Sequence, residues 1–169
     1  MRCRAVYVAV KQNTMRYLVL LLLFFISFNI KSQQVPVINY DELEQLWSGS
    51  SDTLYVVNFW ATWCKPCIEE LPDFYKVNDE FKGKAFKMIL VSLDFPSHLE
   101  SRVLPFIEKN KVKPKVVLLN DDDNVWINRV NPQWDGSIPV TLLIKNKKKQ
   151  FHGTTLNYKE LKTLVESKL

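Results

Sequence analysis

The sequence predicts an α/β domain in which a central mixed sheet is flanked by helices. Two segments rich in β-branched and aromatic residues, 54–60 and 86–93, are apolar on both faces, which is typical of buried central strands. Each is followed by a longer segment with apolar residues at helical spacing. Two further apolar segments near the C-terminal end can form a hairpin, so parallel strands are expected first and an antiparallel pair last.

The first half of this order begins with a short helix and leads to the central strand. Asp41 can cap a helix that runs to about Trp47, and strand 54–60 follows; the segment before Asp41 is expected to be irregular. A helix is expected over 65–81. It should be kinked at Pro72, because a proline inside a helix removes one hydrogen bond and clashes with the preceding turn.

After strand 86–93, three helices and three strands are predicted. The acidic run 121–123 is interpreted as the start of a helix, because its carboxylates lack the spacing of calcium ligands. Asn157 and Glu160 have the pattern of a capping box. The expected elements are a helix over 99–110, a strand over 116–119, a short helix with Val125, Trp126 and Val130, hairpin strands over 140–144 and 150–154, and a helix from Tyr158 onward.

Residues 1–32 have the pattern of an export signal. Four basic residues precede an apolar stretch, and Ser32 offers a small residue at which a peptidase can cut; Met15 is an alternative start. An uncleaved membrane anchor is the other interpretation, although the stretch 17–30 has 14 residues against the roughly 20 that span a bilayer. We therefore expect an exported or periplasmic protein whose residues 33–169 form one domain.

The net charge of the chain comes from this leading segment. The whole sequence has 23 basic and 18 acidic residues, but five of the basic residues and none of the acidic ones lie in 1–32. Residues 33–169 are therefore formally neutral, which argues against nucleic-acid binding, because that function needs a basic footprint. The densest basic run that remains, Lys145 with 147–149, is interpreted as a solvated hairpin turn.

A cysteine pair follows the central strand in the run Trp63-Cys64-Lys65-Pro66-Cys67. No other cysteine follows the leading segment, whose Cys3 is given no role. The start of the next helix places Cys64 at the positive end of the helix dipole, which favours a thiolate, and Lys65 adds a positive charge. Pro66 suits the first helical turn, where a backbone N–H would have no partner.

Such a pair supports a two-step exchange of disulfides. Cys64 is expected to attack the disulfide of a partner protein, and Cys67, one turn further along the helix, to resolve the mixed disulfide. The alternative is a structural cross-link, but a loop closed by such near neighbours removes little entropy from the unfolded chain. The pair is therefore interpreted as a redox-active dithiol.

The segment 59–67 resembles the active site of thioredoxin-fold proteins and is most similar to the exported thiol-disulfide oxidoreductases of the TlpA/ResA group. Pro72 matches the helix-kinking proline of thioredoxins, and Glu70 matches the glutamate that ResA-type proteins hold near the cysteines. Ile138-Pro139 matches the cis-proline opposite the disulfide. The resemblance covers about residues 35–169 and implies a thioredoxin-like fold.

The resemblance also implies roles for residues outside the pair. Asn58 stands where thioredoxin has a buried aspartate, so Glu70 becomes the candidate acid and base; an exposed Glu70 at the helix start is the alternative. The Ile138-Pro139 bond is expected to be cis, with the Ile138 backbone turned toward the disulfide to pair with an extended substrate segment. The expected substrate-binding residues are Trp63, Lys65, Pro66, Ile138 and Pro139.

The function that the resemblance implies is that of an exported protein-disulfide oxidoreductase acting as a reductant. The electrons reside in the cysteine pair, so no dissociable cofactor and no metal are implied, and a membrane donor would replenish them. The expected partners are protein thiols and disulfides, and the protein is expected to be a monomer. Within the group, a frequent task is to keep the haem-attachment cysteines of c-type cytochromes reduced.

Two other functions are compatible with a cysteine pair. A metal-handling protein, such as a copper chaperone, would use both thiolates with His98 or His152, although neither histidine lies at ligand spacing. These histidines are otherwise interpreted as surface or capping residues. A peroxiredoxin is a poorer alternative, because the proline and threonine that should precede a peroxidatic cysteine at set spacing are missing.

Overall fold

Six strands form one mixed sheet in the computed structural model, which describes residues 34–49 and 52–169. The expected signal segment, with Cys3, Met15 and Ser32, lies outside these residues. The strands are β1 Val37–Ile38, β2 Leu54–Trp60, β3 Phe86–Ser92, β4 Lys115–Leu119, β5 Val140–Lys145 and β6 Lys148–His152.

The order of the strands across the sheet is β1-β4-β3-β2-β5-β6. Strands β1 to β4 are parallel to one another, whereas β5 is antiparallel to β2 and β6 is antiparallel to β5. The central position of β2 explains its composition, because all seven of its residues are buried. The predicted α/β class, with parallel strands first and a hairpin last, is confirmed.

Five α-helices cover the two faces of this sheet within the described residues. They are α1 Tyr40–Ser48, α2 Lys65–Glu80, α3 Leu104–Asn110, α4 Asp123–Val130 and α5 Tyr158–Glu166. Apolar residues of α2, α3 and α5 pack on one face, and those of α1 and α4 pack on the other. None of these helices combines the length and the apolar character that crossing a bilayer requires.

The segment before α1 differs from the prediction. Val37 and Ile38 pair with the end of β4, although the segment was expected to be irregular, because a two-residue edge strand has no periodic pattern to reveal it. Helix α1 is capped by Asn39, whose side chain accepts a hydrogen bond from the backbone N–H of Glu42. The carboxylate of Glu42 accepts one in return from the N–H of Asn39, so the expected cap at Asp41 is wrong.

The predicted helix 99–110 is divided into two helical types. A 3₁₀ turn, Pro96–His98, leads into a π-helical segment, Leu99–Val103, and the α-helix α3 begins only at Leu104. The division coincides with Pro105, which has no backbone N–H to continue the hydrogen-bond ladder of the preceding turn. Proline therefore sits in the first turn of α3, where a missing donor is tolerated.

The lysine-rich hairpin is confirmed, with a tighter turn than predicted. Asn146 and Lys147 alone connect β5 to β6, and both have positive φ, 52° and 63°. Positive φ at both central residues is the requirement of the turn that matches the twist of two antiparallel strands. Strand β6 consequently begins at Lys148, two residues before the predicted start.

Candidate active site

Cys64 and Cys67 form a disulfide at the start of α2, with 2.01 Å between the sulfur atoms and 5.3 Å between the Cα atoms. Cys64 is the N-cap of the helix, with extended backbone angles, and Pro66 lies in the first turn as predicted. The two cysteines differ in accessibility, because Cys64 is 5% exposed and Cys67 is fully buried. Cys64, the expected nucleophile, is thus the more accessible of the two cysteines.

The surroundings of Cys64 favour a negative charge on its sulfur. The backbone N–H of Cys67 donates to Sγ of Cys64 over 3.3 Å, and the first turn of α2 contains no acidic residue. The side chain of Lys65 is 86% exposed and its Nζ lies 3.8 Å from the carboxylate of Glu69. The helix end, rather than Lys65, is therefore the main local source of positive potential.

The Ile138–Pro139 peptide bond is cis, and it lies opposite the disulfide. The carbonyl oxygen of Ile138 is 3.8 Å from Sγ of Cys64, although the two residues are 74 positions apart in the chain. Strand β5 starts directly after Pro139 and pairs its first residue, Val140, with Phe59 near the end of β2. The pairing of β5 with β2 is what brings this turn to the cysteines.

Glu70 is buried beneath the first turns of α2. Its Oε1 accepts a hydrogen bond from the side-chain amide of Asn58 at 2.8 Å, and its Oε2 accepts one from the backbone N–H of Leu156 at 2.9 Å. Burial raises the pKa of the Glu70 carboxyl to about 7, and these two hydrogen bonds only partly oppose the rise. The alternative of an exposed Glu70 is wrong, since the residue is 5% exposed.

Asn58 links Glu70 to the neighbouring strand. Its amide also donates to the hydroxyl of Thr141 over 3.1 Å, and the two residues are opposite each other in the β2–β5 register. Its Oδ1 is buried and has no hydrogen-bond partner among the described residues. An asparagine in an otherwise apolar strand signalled this network, but Thr141 could be recognised only once the register was known.

A cleft of about 380 Å³ gives Glu70 a route to solvent. It lies between the first two turns of α2 and the segment before α5, and its walls include Glu69, Asp73 and Leu156. Glu69 and Asp73 make this opening acidic, and Glu70 itself lines it.

A second buried carboxylate, Asp94, holds the loop in front of the cysteines. Its Oδ2 accepts hydrogen bonds from the backbone N–H of Thr62 at 2.9 Å and from the hydroxyl of Ser92 at 2.8 Å, and its Oδ1 accepts one from the hydroxyl of Thr62. Asp94 is 2% exposed. This contact was not predicted from the sequence. Its only signal was the presence of two polar residues, Ser92 and Asp94, at the end of the apolar strand β3.

Two large aromatic side chains next to the hydrogen-bonded pair of Thr62 and Asp94 face solvent. Trp63 is 57% exposed and Phe95 is 68% exposed, and their neighbours in sequence, Thr62 and Asp94, are hydrogen-bonded to each other. Trp63 was expected in the substrate-binding surface, whereas Phe95 was not predicted. Exposed aromatic residues beside a reactive group are typical of surfaces that contact other proteins.

The two histidines lie on elements other than the helix that begins at the cysteine pair. His98 packs edge-on against Phe95 with 5.8 Å between ring centroids, and His152 lies on β6, where burial lowers its pKa. In the described part of the chain, no group of three histidine, cysteine or carboxylate side chains is arranged to hold a metal ion. The copper-handling alternative requires such a group.

The fold and the position of the pair agree with the similarities that this chain has to known proteins. The profile of the AhpC/TSA family matches residues 26–149. The chain is 30% identical over 147 residues to the thioredoxin-like protein YneN of Bacillus subtilis, and the alignment covers 80% of this chain and 79% of that protein.

Two further similarities concern thiol-disulfide oxidoreductases by name. The chain is 26% identical over 104 residues to ResA of Bacillus cereus, which covers 57% of this chain and 58% of ResA. The solved thioredoxin domain of a thiol-disulfide oxidoreductase from Bacteroides vulgatus superposes with a TM-score of 0.55 at 25% identity, over 69% of this chain and 79% of that one.

Proposed function

Because this chain belongs to the AhpC/TSA family of thioredoxin-like proteins, and within it to the TlpA/ResA group of thiol-disulfide oxidoreductases, we propose that it reduces the disulfides of exported proteins through Cys64 and Cys67. The observation that carries the proposal is the asymmetry of the pair. Cys64 caps the N-terminus of α2 and retains 5% of its surface area exposed, whereas Cys67 is fully buried. Only Cys64 can meet a partner's disulfide.

In the first step, the thiolate of Cys64 attacks one sulfur of the partner's disulfide. A bond forms between Sγ of Cys64 and that sulfur, the partner's S–S bond breaks, and the second partner sulfur leaves as a thiolate that takes a proton from solvent. The N–H of Cys67 and the positive end of α2 stabilise the charge on Cys64 before the attack. The product is a mixed disulfide.

In the second step, Cys67 loses its proton and attacks Sγ of Cys64. The mixed disulfide breaks, the partner's remaining sulfur leaves as a thiolate, and the Cys64–Cys67 disulfide forms, so two electrons have passed to the partner. Glu70 is the proposed proton acceptor, because it follows Cys67 by one turn of α2 and its pKa of about 7 lets it take and return a proton near neutral pH.

The partner's extended segment is placed along Ile138. The carbonyl oxygen of that residue is 3.8 Å from the reacting sulfur, which suits backbone pairing with a segment whose cysteine lies over Cys64. Trp63, Pro66 and Phe95 are exposed around the pair and would contact the side chains on either side of that cysteine. Haem-attachment cysteines of c-type cytochromes are one candidate substrate, by resemblance to the group.

The proposed reaction is tested by insulin reduction with single cysteine variants of the full chain. We expect Cys64→Ser to abolish turnover and Cys67→Ser to accumulate a mixed disulfide that persists on a non-reducing gel, because the resolving thiol is gone. Cys3→Ser serves as the matched control and should retain full activity. Turnover that persists in Cys64→Ser would contradict the proposal.

The direction of electron flow and the export are proposed from the group resemblance and from residues 1–32. An equilibrium potential of the Cys64–Cys67 couple well below that of glutathione would support a reductase, and a potential near the oxidising end would reverse the direction. Cell fractionation followed by N-terminal mass analysis tests the export. Recovery of the protein with the cytosolic fraction would refute it.

A further inference from the structure

Lysine side chains collect at the end of the domain that lies opposite the disulfide. Strands β2, β3 and β6 begin at this end of the sheet and β5 ends there. We define the lysine edge by five exposed side chains, which lie in the connection after α2, in the first residues of β3, β4 and β6, and in the β5–β6 turn. They are Lys82, Lys87, Lys115, Lys147 and Lys148.

The lysine edge is one continuous surface. Three clefts of about 630, 360 and 280 Å³ lie along it. The first cleft, which contains Lys82, Lys87 and Lys115, shares Tyr55 with the second, which contains Lys147. The second cleft shares Asn146 with the third, which contains Lys148. The five lysines thus line three adjoining clefts at one end of the sheet, which we refer to together as the groove.

Acidic residues do not neutralise this groove. Within residues 34–49 and 52–169, none of the five lysines has a carboxylate at ion-pair distance. The one acidic residue in the described lining of the three clefts is Asp79, and it is already paired with Lys113 at 2.6 Å. Residues 33–169 are formally neutral as a whole, so the charge of these five lysines is balanced by carboxylates that lie outside the clefts.

The shape and composition of the groove favour a broad anionic surface over a single bound ion or a nucleic acid. The charges are all lysines on a shallow surface, without the arginine forks that bind one phosphate in a fixed geometry. Three aromatic residues line the clefts. Trp47 and Tyr55 are 9% and 3% exposed and offer no face on which a base could stack, and the half-buried ring of Phe86 packs against Phe81 with 5.7 Å between centroids.

The position of the lysine edge also suits a membrane. The edge and the disulfide lie at opposite ends of β2, whose seven residues at roughly 3.3 Å each separate them by about 20 Å. A bound surface would therefore leave Cys64 free to react.

We propose that the lysine edge binds the anionic headgroups of a membrane surface and directs the disulfide away from the lipid. Each lysine near an anionic leaflet is expected to strengthen binding about five-fold, and the attraction to fall off within a Debye length of about 8 Å at physiological salt. The five side chains act together because they come from one end of the domain and line the groove.

The test uses the full chain and vesicles of phosphatidylcholine with or without phosphatidylglycerol at one lipid in four. The variant is Lys82→Gln/Lys147→Gln/Lys148→Gln, and the matched control is Lys76→Gln/Arg102→Gln/Lys159→Gln, which removes the same charge elsewhere. Residues 1–33 are present in both, so their contribution to binding cancels. Thermal melting and insulin reduction, which neither variant should alter, verify that both are folded.

We expect the edge variant to bind anionic vesicles about a hundred-fold more weakly than the unmodified chain, and the control to lose less than about five-fold. The difference should vanish at high salt and on neutral vesicles. Equal losses in the two variants, or no loss in the edge variant, would overturn the proposal. Lysine-dependent binding to polyglutamate without any dependence on anionic lipid would overturn it in favour of an acidic protein partner.

Discussion

The charge of the Glu70 side chain is controlled by its burial in the fold. Its pKa of about 7 in the folded protein lies above the value of about 4.3 for an unfolded glutamate, because burial disfavours the carboxylate. Between these values the folded state binds more protons than the unfolded state. The free energy of unfolding contributed by Glu70 is therefore greatest below about pH 4.3 and decreases as the pH rises through about 7.

Glu70→Gln should remove this pH dependence, because the amide does not ionise. We expect the variant to gain about 3 kcal/mol relative to the wild type between pH 4.5 and pH 8, an order-of-magnitude value from the difference in pKa. Urea unfolding across this range measures the change. The control is Glu69→Gln, a substitution at a neighbouring side chain that is 66% exposed, and it should leave the dependence of the unfolding free energy on pH unaltered. If Glu70→Gln retains the pH dependence of the wild type, Glu70 is not the titrating group.

Asp94 should be important for stability, because three hydrogen bonds converge on a carboxylate without solvent. Asp94→Ala leaves the N–H of Thr62 and the hydroxyl of Ser92 without their acceptor, which we expect to lower the free energy of unfolding by about 2–4 kcal/mol. Asp79→Ala, which removes an exposed carboxylate paired with Lys113, should cost less than about 1 kcal/mol. Chemical denaturation measures the free energy of unfolding of both variants. An equal loss of stability in the two would contradict a special role of Asp94.

At this scale, the sequence could reveal residues whose chemistry is unusual for their position. Two close cysteines, a glutamate one turn later and an asparagine in an apolar strand were all visible in this way. Thr141 and Asp94 were not, because a threonine and an aspartate near strand ends are common. Their importance arises from the partners that the sheet register and the chain reversal bring to them.

Among the secondary-structure elements, the β5–β6 hairpin carries a residue that is unfavourable for its conformation. Lys147 has φ of 63°, which costs a residue with a side chain roughly 1 kcal/mol relative to glycine. Lys147→Gly should therefore raise the free energy of unfolding by about 0.5–1 kcal/mol. Lys148→Gly, in the adjacent strand, should lower it by a similar amount. Thermal melting of the two variants measures both changes in stability. Destabilisation by Lys147→Gly would refute the interpretation that the positive φ of Lys147 is unfavourable.

Element boundaries could be predicted where periodicity and capping agree. The bounds of β2 matched, and α2 ended one residue earlier than expected. The predicted helix 99–110 failed at Pro105, since apolar spacing extends through a proline although the hydrogen-bond ladder does not. Strand β1 was missed because its pairing with β4 depends on a partner about eighty residues away, which no local pattern encodes.

For the molecule as a whole, residues 33–169 are predicted to fold without the preceding segment. The two apolar clusters described on either side of the sheet draw on residues between Val35 and Val165. A chain that begins at residue 33 should retain the melting temperature and the insulin reductase activity of the full chain. Circular dichroism and the turbidity assay measure these, and a chain that precipitates or melts at a lower temperature would show that the leading segment contributes to the fold.

The overall architecture was predictable because the order of strands and helices, together with the segment 59–67, is specific to one fold. The distribution of charge was not. The basic run near the hairpin was interpreted from sequence as a solvated turn, and its association with Lys82, Lys87 and Lys115 required the segments that carry these residues to meet at one end of the sheet.

The length of β2 determines the distance between the lysine edge and the reactive sulfur of Cys64. If the lysines rest on lipid headgroups, the reactive sulfur stands about 20 Å above them. A dithiol carried on a short loop at the bilayer surface would be too low to touch it. Any protein that exchanges electrons with Cys64 must therefore extend a domain or an arm to that level, and shortening such an arm would stop the transfer while leaving both redox centres intact.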